Sequence, residues 1–360
     1  MDTVQLTQTA NILVARAKGL LAADESTGTM RKRLVAIGVE PNEDNRRAWR
    51  ELLFTTPGLG RYISGAILFD ETIRQRASTG KTMVEHLRAE GIVAGIKVDK
   101  GLVPLAGSED ESVTDGLDGL RARFDEYARL GARFSKWRAA IRIDELRLPS
   151  PYCLRVNAHA LARFAALSQA AGLVPIVEPE VLMDGRHPIQ RCFEVTEAIH
   201  KALYEELYEQ GVFLEGSLLK PNMVLSGKDA SPRASAGEVA EETLRCLRRG
   251  VPAAVPGVVF LSGGQGDDEA TENLDAINRL ALVRGAPWQL SFSYGRGLQA
   301  TPLRIWAGRE ENTGAAQAAV LERARATSVA REGEYATESR KERLAPTAST
   351  DRGLESGRAP

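Results

Sequence analysis

An α/β barrel, the (β/α)8 TIM barrel with an additional C-terminal helix, is the fold class that the sequence predicts. Three observations predict it. Eight short apolar runs recur along the chain, helix-like text with a 3.6-residue apolar period separates most of them, and nearly every run ends on a polar or charged residue. An open doubly wound sheet shares the first two features. The third favours the barrel, because a packed barrel core aims side chains from many strands into one C-terminal mouth.

In chain order the runs are LLAAD (20–24), SGAILFD (64–70), VAGIKVD (93–99), RFSKWRAAI (133–141), LVPIVEPE (173–180), VFLEGSLLK (212–220), GVVFLSGG (257–264) and QLSFSYGR (289–296). Asn42 is placed to cap the helix EDNRRAWRELLF, and the stretches 158–171, 193–210, 236–249 and 269–283 read as helices. Gly172, Gly211, Gly250 and Gly285 follow them, where a left-handed residue commonly ends a helix. Beyond Trp306, AAQAAVLERARATSVA reads as one more helix, and from Arg331 the text turns polar. The expected organisation is a single barrel domain over 1–330 and a flexible polar tail over 331–360.

Composition narrows the function classes. The chain has 360 residues, 43% apolar and 26% charged, with a formal net charge of −1. Bulk charge therefore argues against a nucleic-acid footprint, and any anion affinity is local. Cys153, Cys192 and Cys246 form neither a disulfide framework nor a metal spacing, which suits a reducing compartment. The N-terminal text MDTVQLTQTA has no signal-peptide pattern and no window of eighteen apolar residues occurs, so the expectation is a cytoplasmic chain with no membrane partner.

The chemistry is read with period two, since residues i and i+2 of a strand share a face. Lys136 and Arg138 then point together, as do Glu178 and Glu180, and Lys97 and Asp99. Such pairs usually mark a solvated face. A parallel sheet covered on both sides has no such face, which leaves the barrel mouth. Lys220 ends the run GSLLK among these groups. A free lysine, with a pKa of about 10.4, is protonated and a poor nucleophile near neutrality. Desolvation and a neighbouring cation, here Lys136, disfavour the charged form and would ready the amine for carbonyl attack. Glu178 and Glu180 are placed to move protons for it. A structural lysine snorkelling to the rim is the alternative.

Anion binding is read from the loops after the last two runs, SGGQG (262–266) and SYGRG (293–297), where glycines admit backbone N–H groups and Arg296 adds a guanidinium. ADESTGTMRKR offers a second anion-friendly turn with Ser26, Thr27, Thr29, Arg31, Lys32 and Arg33. A capped helix with an exposed basic turn is the alternative for that segment taken alone. Three motifs lead nowhere: TGKT (79–82) lacks the first P-loop glycine, GRGLQA (295–300) has no βαβ unit after it, and the four histidines share no metal-ligand spacing.

Taken together, LLAADESTGTMRKRL, GIKVDKGLVPLAG, KWRAAIRI, IVEPE, LEGSLLKPNM, FLSGGQ and FSYGRGLQA resemble the motifs of the class I fructose-bisphosphate aldolases, in order, to about Ala330. The resemblance implies a lyase of glycolysis and gluconeogenesis. It would need no cofactor and no metal, because a protonated imine is the electron sink, and it would cleave fructose 1,6-bisphosphate reversibly. Lys220 would form the Schiff base, Glu178 match the acid/base glutamate, Asp24 the carboxylate near the C4 hydroxyl, Lys136 the assisting lysine with Arg138 beside it, and Glu180 the second glutamate. Ser262, Gly263, Gly295 and Arg296 would bind the C1 phosphate. Ser26, Thr29 and Lys97 would face the C6 phosphate, with Arg33 near its path. The implied assembly is a homotetramer. Two departures stand out: the text ends SGRAP where many members end in tyrosine, and Thr29 replaces a serine. A lysine aldolase for fructose 1-phosphate or sedoheptulose bisphosphate, and an aldolase-like scaffold, are the competing readings.

Overall fold

In the computed structural model, which describes residues 1–336, eight parallel strands close into a barrel. They are β1 (Gly19–Ala23), β2 (Ile63–Leu68), β3 (Val93–Lys97), β4 (Phe134–Ile141), β5 (Val174–Val181), β6 (Leu218–Leu219), β7 (Gly257–Phe260) and β8 (Gln289–Tyr294). Each pairs with the next in sequence, and β8 closes on β1 with Leu20 opposite Ser293. Every expected run supplies one strand.

Period two sorts the side chains into two cores. Leu20, Ala22, Phe134, Val174, Ile176, Leu218 and Val259 point inward and pack with Leu6, Ala10 and Leu13 of the helix Thr3–Leu13, which closes the N-terminal end of the barrel. Leu21, Ala23, Trp137, Val177 and Leu219 point outward into the layer shared with the surrounding helices. The Phe134 ring fills the floor at β3 only because Gly95 has no side chain: a Cβ there would lie 2.3 Å from the ring. Ser150 caps the helix Pro151–Ala170, and Ser235 with Glu238 forms a capping box on Ala236–Gly250.

Four expectations are corrected. The run 212–220 is mostly not strand: Leu214–Gly216 is a 3₁₀ turn, and only Leu218 and Leu219 join the sheet. The buried Gln169 amide replaces the missing ladder, accepting from Phe213 N at 2.9 Å and donating to the Phe213 and Gly216 carbonyls at 2.7 and 3.0 Å. An antiparallel hairpin, Gly101–Pro104 with Ser112–Asp115, follows β3 where no strand was expected; its strands are four residues each, and the apolar side chains of the first, Leu102 and Val103, are exposed. Gly172, Gly211 and Gly285 have positive φ, but Gly250 does not. It is the last residue of its helix, and a Cβ there would come 2.9 Å from His200 Cβ. Finally, the last helix runs Thr313–Arg331, past the expected boundary, and the buried Arg331 guanidinium donates to the Val14 carbonyl at 2.7 Å. The chain goes on to Tyr335, whose backbone N–H donates to Asp275 at 2.8 Å. The rest of the expected flexible tail lies outside the described residues.

Candidate active site

The inward columns of the strands change character along their length. On β4 the column reads Phe134, Lys136, Arg138; on β5 Val174, Ile176, Glu178, Glu180; from β1 it reads Leu20, Ala22, then Asp24; from β6 Leu218, then Lys220. Apolar layers seal the floor, and ionisable groups crown it at the C-terminal rim. The register sets Lys97 beside Lys136 and Arg138 beside Glu178. Every residue to which the resemblance assigns a role lines one cavity of about 1200 Å³ at this mouth, whereas Thr27 and Arg31 of the anion-friendly turn do not line it.

At its floor four side chains form a chain of charge contacts. Lys220 Nζ lies 3.1 Å from Glu178 Oε1, Glu178 Oε2 lies 3.0 Å from Lys136 Nζ, and Lys136 Nζ lies 2.8 Å from Asp24 Oδ2. None of the four residues is more than 8% exposed. Isolated ions at such burial cost several kcal/mol each; alternation of sign is what makes the cluster tolerable. Glu178 stands between Lys220 and Lys136, reaching both amines.

Burial pushes the Asp24 carboxyl up, but Lys136, Lys220 and Lys97 outweigh it and hold Asp24 far below the ordinary carboxylate range. Glu178 behaves alike: burial opposes its charge, while Lys136, Lys220 and Arg138 pull its pKa below the usual value. Burial lowers Lys136, and Asp24, Glu178 and Asp99 more than reverse that, raising it above the lysine range. Both carboxylates are therefore anionic and Lys136 cationic at neutral pH. Glu178 Oε2 meets Lys136 as an ion pair without an aligned hydrogen bond, so it keeps acceptor capacity for a ligand.

Around this floor the other groups are paired outward. Arg138 Nε contacts Glu180 Oε2 at 2.5 Å, so Glu180 serves Arg138 and is not among the contacts of Lys220. Burial opposes the Arg138 charge, and Glu180, Glu178 and Asp99 raise its pKa above the usual arginine value. Lys97 Nζ donates to Asp99 at 2.5 Å. Ser26 caps the helix Thr27–Ala36, accepting from Thr29 N at 3.3 Å, and the two hydroxyls lie 3.2 Å apart. The capped helix and the cavity wall are thus the same structure. Arg33 pairs with Glu25 at 2.5 Å. Across the mouth Arg296 is exposed and donates to the Gly263 carbonyl, beside Ser262 and Gly295.

Of the cavity residues not singled out from the sequence, two stand close to the charged floor. Ser293 is 1% exposed, faces the mouth from β8, and its hydroxyl has no partner, which makes it a free donor next to Gly295. Its signal was period two again, since it lies two residues beyond Ser291 and two before Gly295. Glu25 sits directly after Asp24 and gathers Arg33, Arg50 and Gln299, partners that no local pattern announces. Among the described residues no group of three or more His, Cys, Asp or Glu has the arrangement of a metal site, and no helix is long and apolar enough to cross a membrane.

The profile of the family described as "Fructose-bisphosphate aldolase class-I" matches residues 5–350. A Xanthomonas axonopodis pv. citri protein named "Probable fructose-bisphosphate aldolase class 1" is 54% identical over 93% of this chain and 99% of its own. An Arabidopsis thaliana protein, "Fructose-bisphosphate aldolase 4, cytosolic", is 53% identical over 92% of this chain and 84% of its own. Among solved structures, a fructose-bisphosphate aldolase from Plasmodium falciparum, crystallised with TRAP and a small-molecule inhibitor, superposes with a TM-score of 0.90. It is 49% identical, covering 92% of this chain and 95% of that one.

Proposed function

The chain belongs to the class I fructose-bisphosphate aldolase family, and we propose from that premise that Lys220 carries the reaction as a Schiff-base nucleophile. The substrate is fructose 1,6-bisphosphate, cleaved reversibly to dihydroxyacetone phosphate and glyceraldehyde 3-phosphate. The observation that carries this reading is the buried chain Lys220–Glu178–Lys136–Asp24 at the floor of the barrel mouth.

To attack C2, the Lys220 amine must be neutral. Glu178, 3.1 Å away and anionic, is placed to take its proton. The resulting carboxylic acid returns that proton to the carbinolamine hydroxyl, which leaves as water and yields the protonated imine. Asp24, kept ionised by Lys136, accepts the C4-hydroxyl proton. The C3–C4 bond breaks, its electrons flow into the imine as an enamine, and glyceraldehyde 3-phosphate departs. Protonation at C3 and hydrolysis then release dihydroxyacetone phosphate and the free amine. The imine is the electron sink, so no step calls for a metal. Lys136 stabilises both carboxylates throughout; Glu180 orients Arg138.

Ser262, Gly263, Ser293, Gly295 and Arg296 face the C1 phosphate in this reading, and Ser26, Thr29, Lys97 and Arg33 the C6 phosphate. A cytoplasmic location is supported by relatives named cytosolic. A homotetramer rests on the family resemblance, and sedimentation of the purified protein tests it.

Borohydride reduction with dihydroxyacetone phosphate, followed by peptide mapping, tests the central step. A stable adduct on the GSLLKPNM peptide is expected. An unmodified peptide in folded protein overturns the assignment.

A further inference from the structure

Arg50 lies on the helix Glu43–Phe54, behind the cavity wall, and is 1% exposed. A buried guanidinium must satisfy its donors within the protein. Arg50 does so around a single residue. Its Nε donates to the Ala23 carbonyl at 3.0 Å, and its Nη2 donates at 3.0 Å to both the Glu25 carbonyl and Glu25 Oε2. The residue between those acceptors is Asp24. The ladder of β1 ends at Ala23 opposite Leu68, so Asp24 sits one position beyond the sheet register.

A second buried side chain completes the grip. Gln299, 0% exposed on the helix Arg296–Trp306, donates to the Ala22 carbonyl at 2.7 Å and to Glu25 Oε1 at 2.9 Å. Trp49 Nε1, beside Arg50, donates in turn to Gln299 Oε1 at 3.0 Å. Residues 22, 23 and 25 are thus each held by groups that do not line the cavity. Glu25 has a third donor, the cavity-lining Arg33 at 2.5 Å. A phosphate that draws Arg33 away leaves Glu25 still held by Arg50 and Gln299.

We propose that Arg50, supported by Gln299, is a positioning residue that fixes Asp24 at the end of β1 while Arg33 exchanges Glu25 for substrate phosphate. The inference rests on the role given above to Asp24 as the base at the C4 hydroxyl. Cleavage needs that base; Schiff-base formation between Lys220 and dihydroxyacetone phosphate does not. A misplacement of about 1 Å costs on the order of 10²-fold in rate.

The test pairs Arg50→Met with Leu52→Ala, a core change on the same helix that lowers stability and removes no hydrogen bond to residues 22–25. Arg50→Met is expected to lose about 10²-fold in cleavage kcat while borohydride trapping of dihydroxyacetone phosphate on Lys220 persists and KM moves little. Leu52→Ala is expected to keep kcat per folded molecule. Should Arg50→Met fail to fold, Arg50→Lys, which keeps the charge but not the bridging geometry, is expected to show the same split. Unchanged cleavage in a folded Arg50 variant, or trapping and cleavage falling together, overturns the proposal. A parent protein that forms no adduct at all overturns the reading of the site first, and this inference with it.

Discussion

Glu178 stands between two ammonium groups, with Oε1 3.1 Å from Lys220 Nζ and Oε2 3.0 Å from Lys136 Nζ. In the proposed mechanism this one carboxylate serves Lys220 as proton partner and Lys136 as counter-ion. Glu178→Gln keeps the shape and removes both capacities. General acid–base groups contribute about 10²–10⁴-fold, so kcat is expected to fall within that range while KM changes little. Borohydride trapping of dihydroxyacetone phosphate should slow in parallel, because carbinolamine dehydration uses the same proton. A kcat within tenfold of the parent would remove Glu178 from the proton path.

Lys136 is the cation on which two buried carboxylates depend. Breaking a buried ion pair from one side costs about 3–5 kcal/mol, and Lys136→Met is expected to lose stability of that order at neutral pH. The sign of its pH dependence follows from the depressed folded-state pKa values of Asp24 and Glu178. Their contribution is present above the unfolded carboxylate value of about 4 and is lost as pH falls through the folded values. The raised pKa of Lys136 contributes below the unfolded lysine value and is lost only at higher pH, above the folded one. The gap between parent and variant should thus be widest near neutrality and narrow below about pH 4. Urea melts across that range measure it. A pH-independent gap would show that the loss is one of packing.

Arg296 is exposed and donates to a backbone carbonyl, that of Gly263. It can therefore turn to a phosphate without abandoning a carboxylate. Hydrogen bonds to charged groups are worth about 1.5–3 kcal/mol, so Arg296→Ala is expected to raise KM for fructose 1,6-bisphosphate about 10- to 100-fold. A smaller effect on kcat should accompany it, with weaker inhibition by inorganic phosphate. Steady-state kinetics on the bisphosphate decides it; an unchanged KM would place the C1 phosphate elsewhere.

Most of the charged cavity floor was legible in the text because strands project with period two and a covered parallel sheet forbids solvated charge in mid-run. Those two constraints bring Lys136, Arg138, Glu178, Glu180 and Lys220 to one mouth, and the cavity contains all five. The illegible parts depend on partners remote in sequence. Residues 212–217 read as strand because their apolar text gives no sign that the Gln169 amide, from the helix Pro151–Ala170, satisfies their backbone instead. Arg50 reads as one more solvated charge in EDNRRAWRELLF, since nothing local says that its acceptors are Ala23 and Glu25. The group that links Lys136 to Lys220 was hidden for a similar reason. Period two gives the face of a side chain but not which neighbour comes between two cations, and here it is Glu178.

Gly250 and His200 show a helix-to-helix contact that the text disguised as a helix terminator. His200 is fully buried, and neither ring nitrogen has a partner. Burial alone pushes its pKa down to about 4. A depressed folded-state value contributes stability fully above the unfolded histidine pKa, and that stability is lost as pH falls. The window therefore runs from about 6.5 down to about 4, and its depth is about 3 kcal/mol. His200→Leu is expected to flatten the stability profile across this window without altering kcat, since the site lies on the contact between the helices Ile189–Glu209 and Ala236–Gly250. Gly250→Ala, which would set a methyl 2.9 Å from His200 Cβ, should cost about 1–3 kcal/mol through overpacking. That cost should shrink in the His200→Gly background, which removes the Cβ that the methyl would meet. Equal acid sensitivity in parent and His200→Leu, both measured by urea melts from pH 7 to 4, would rule out the buried imidazole as its source.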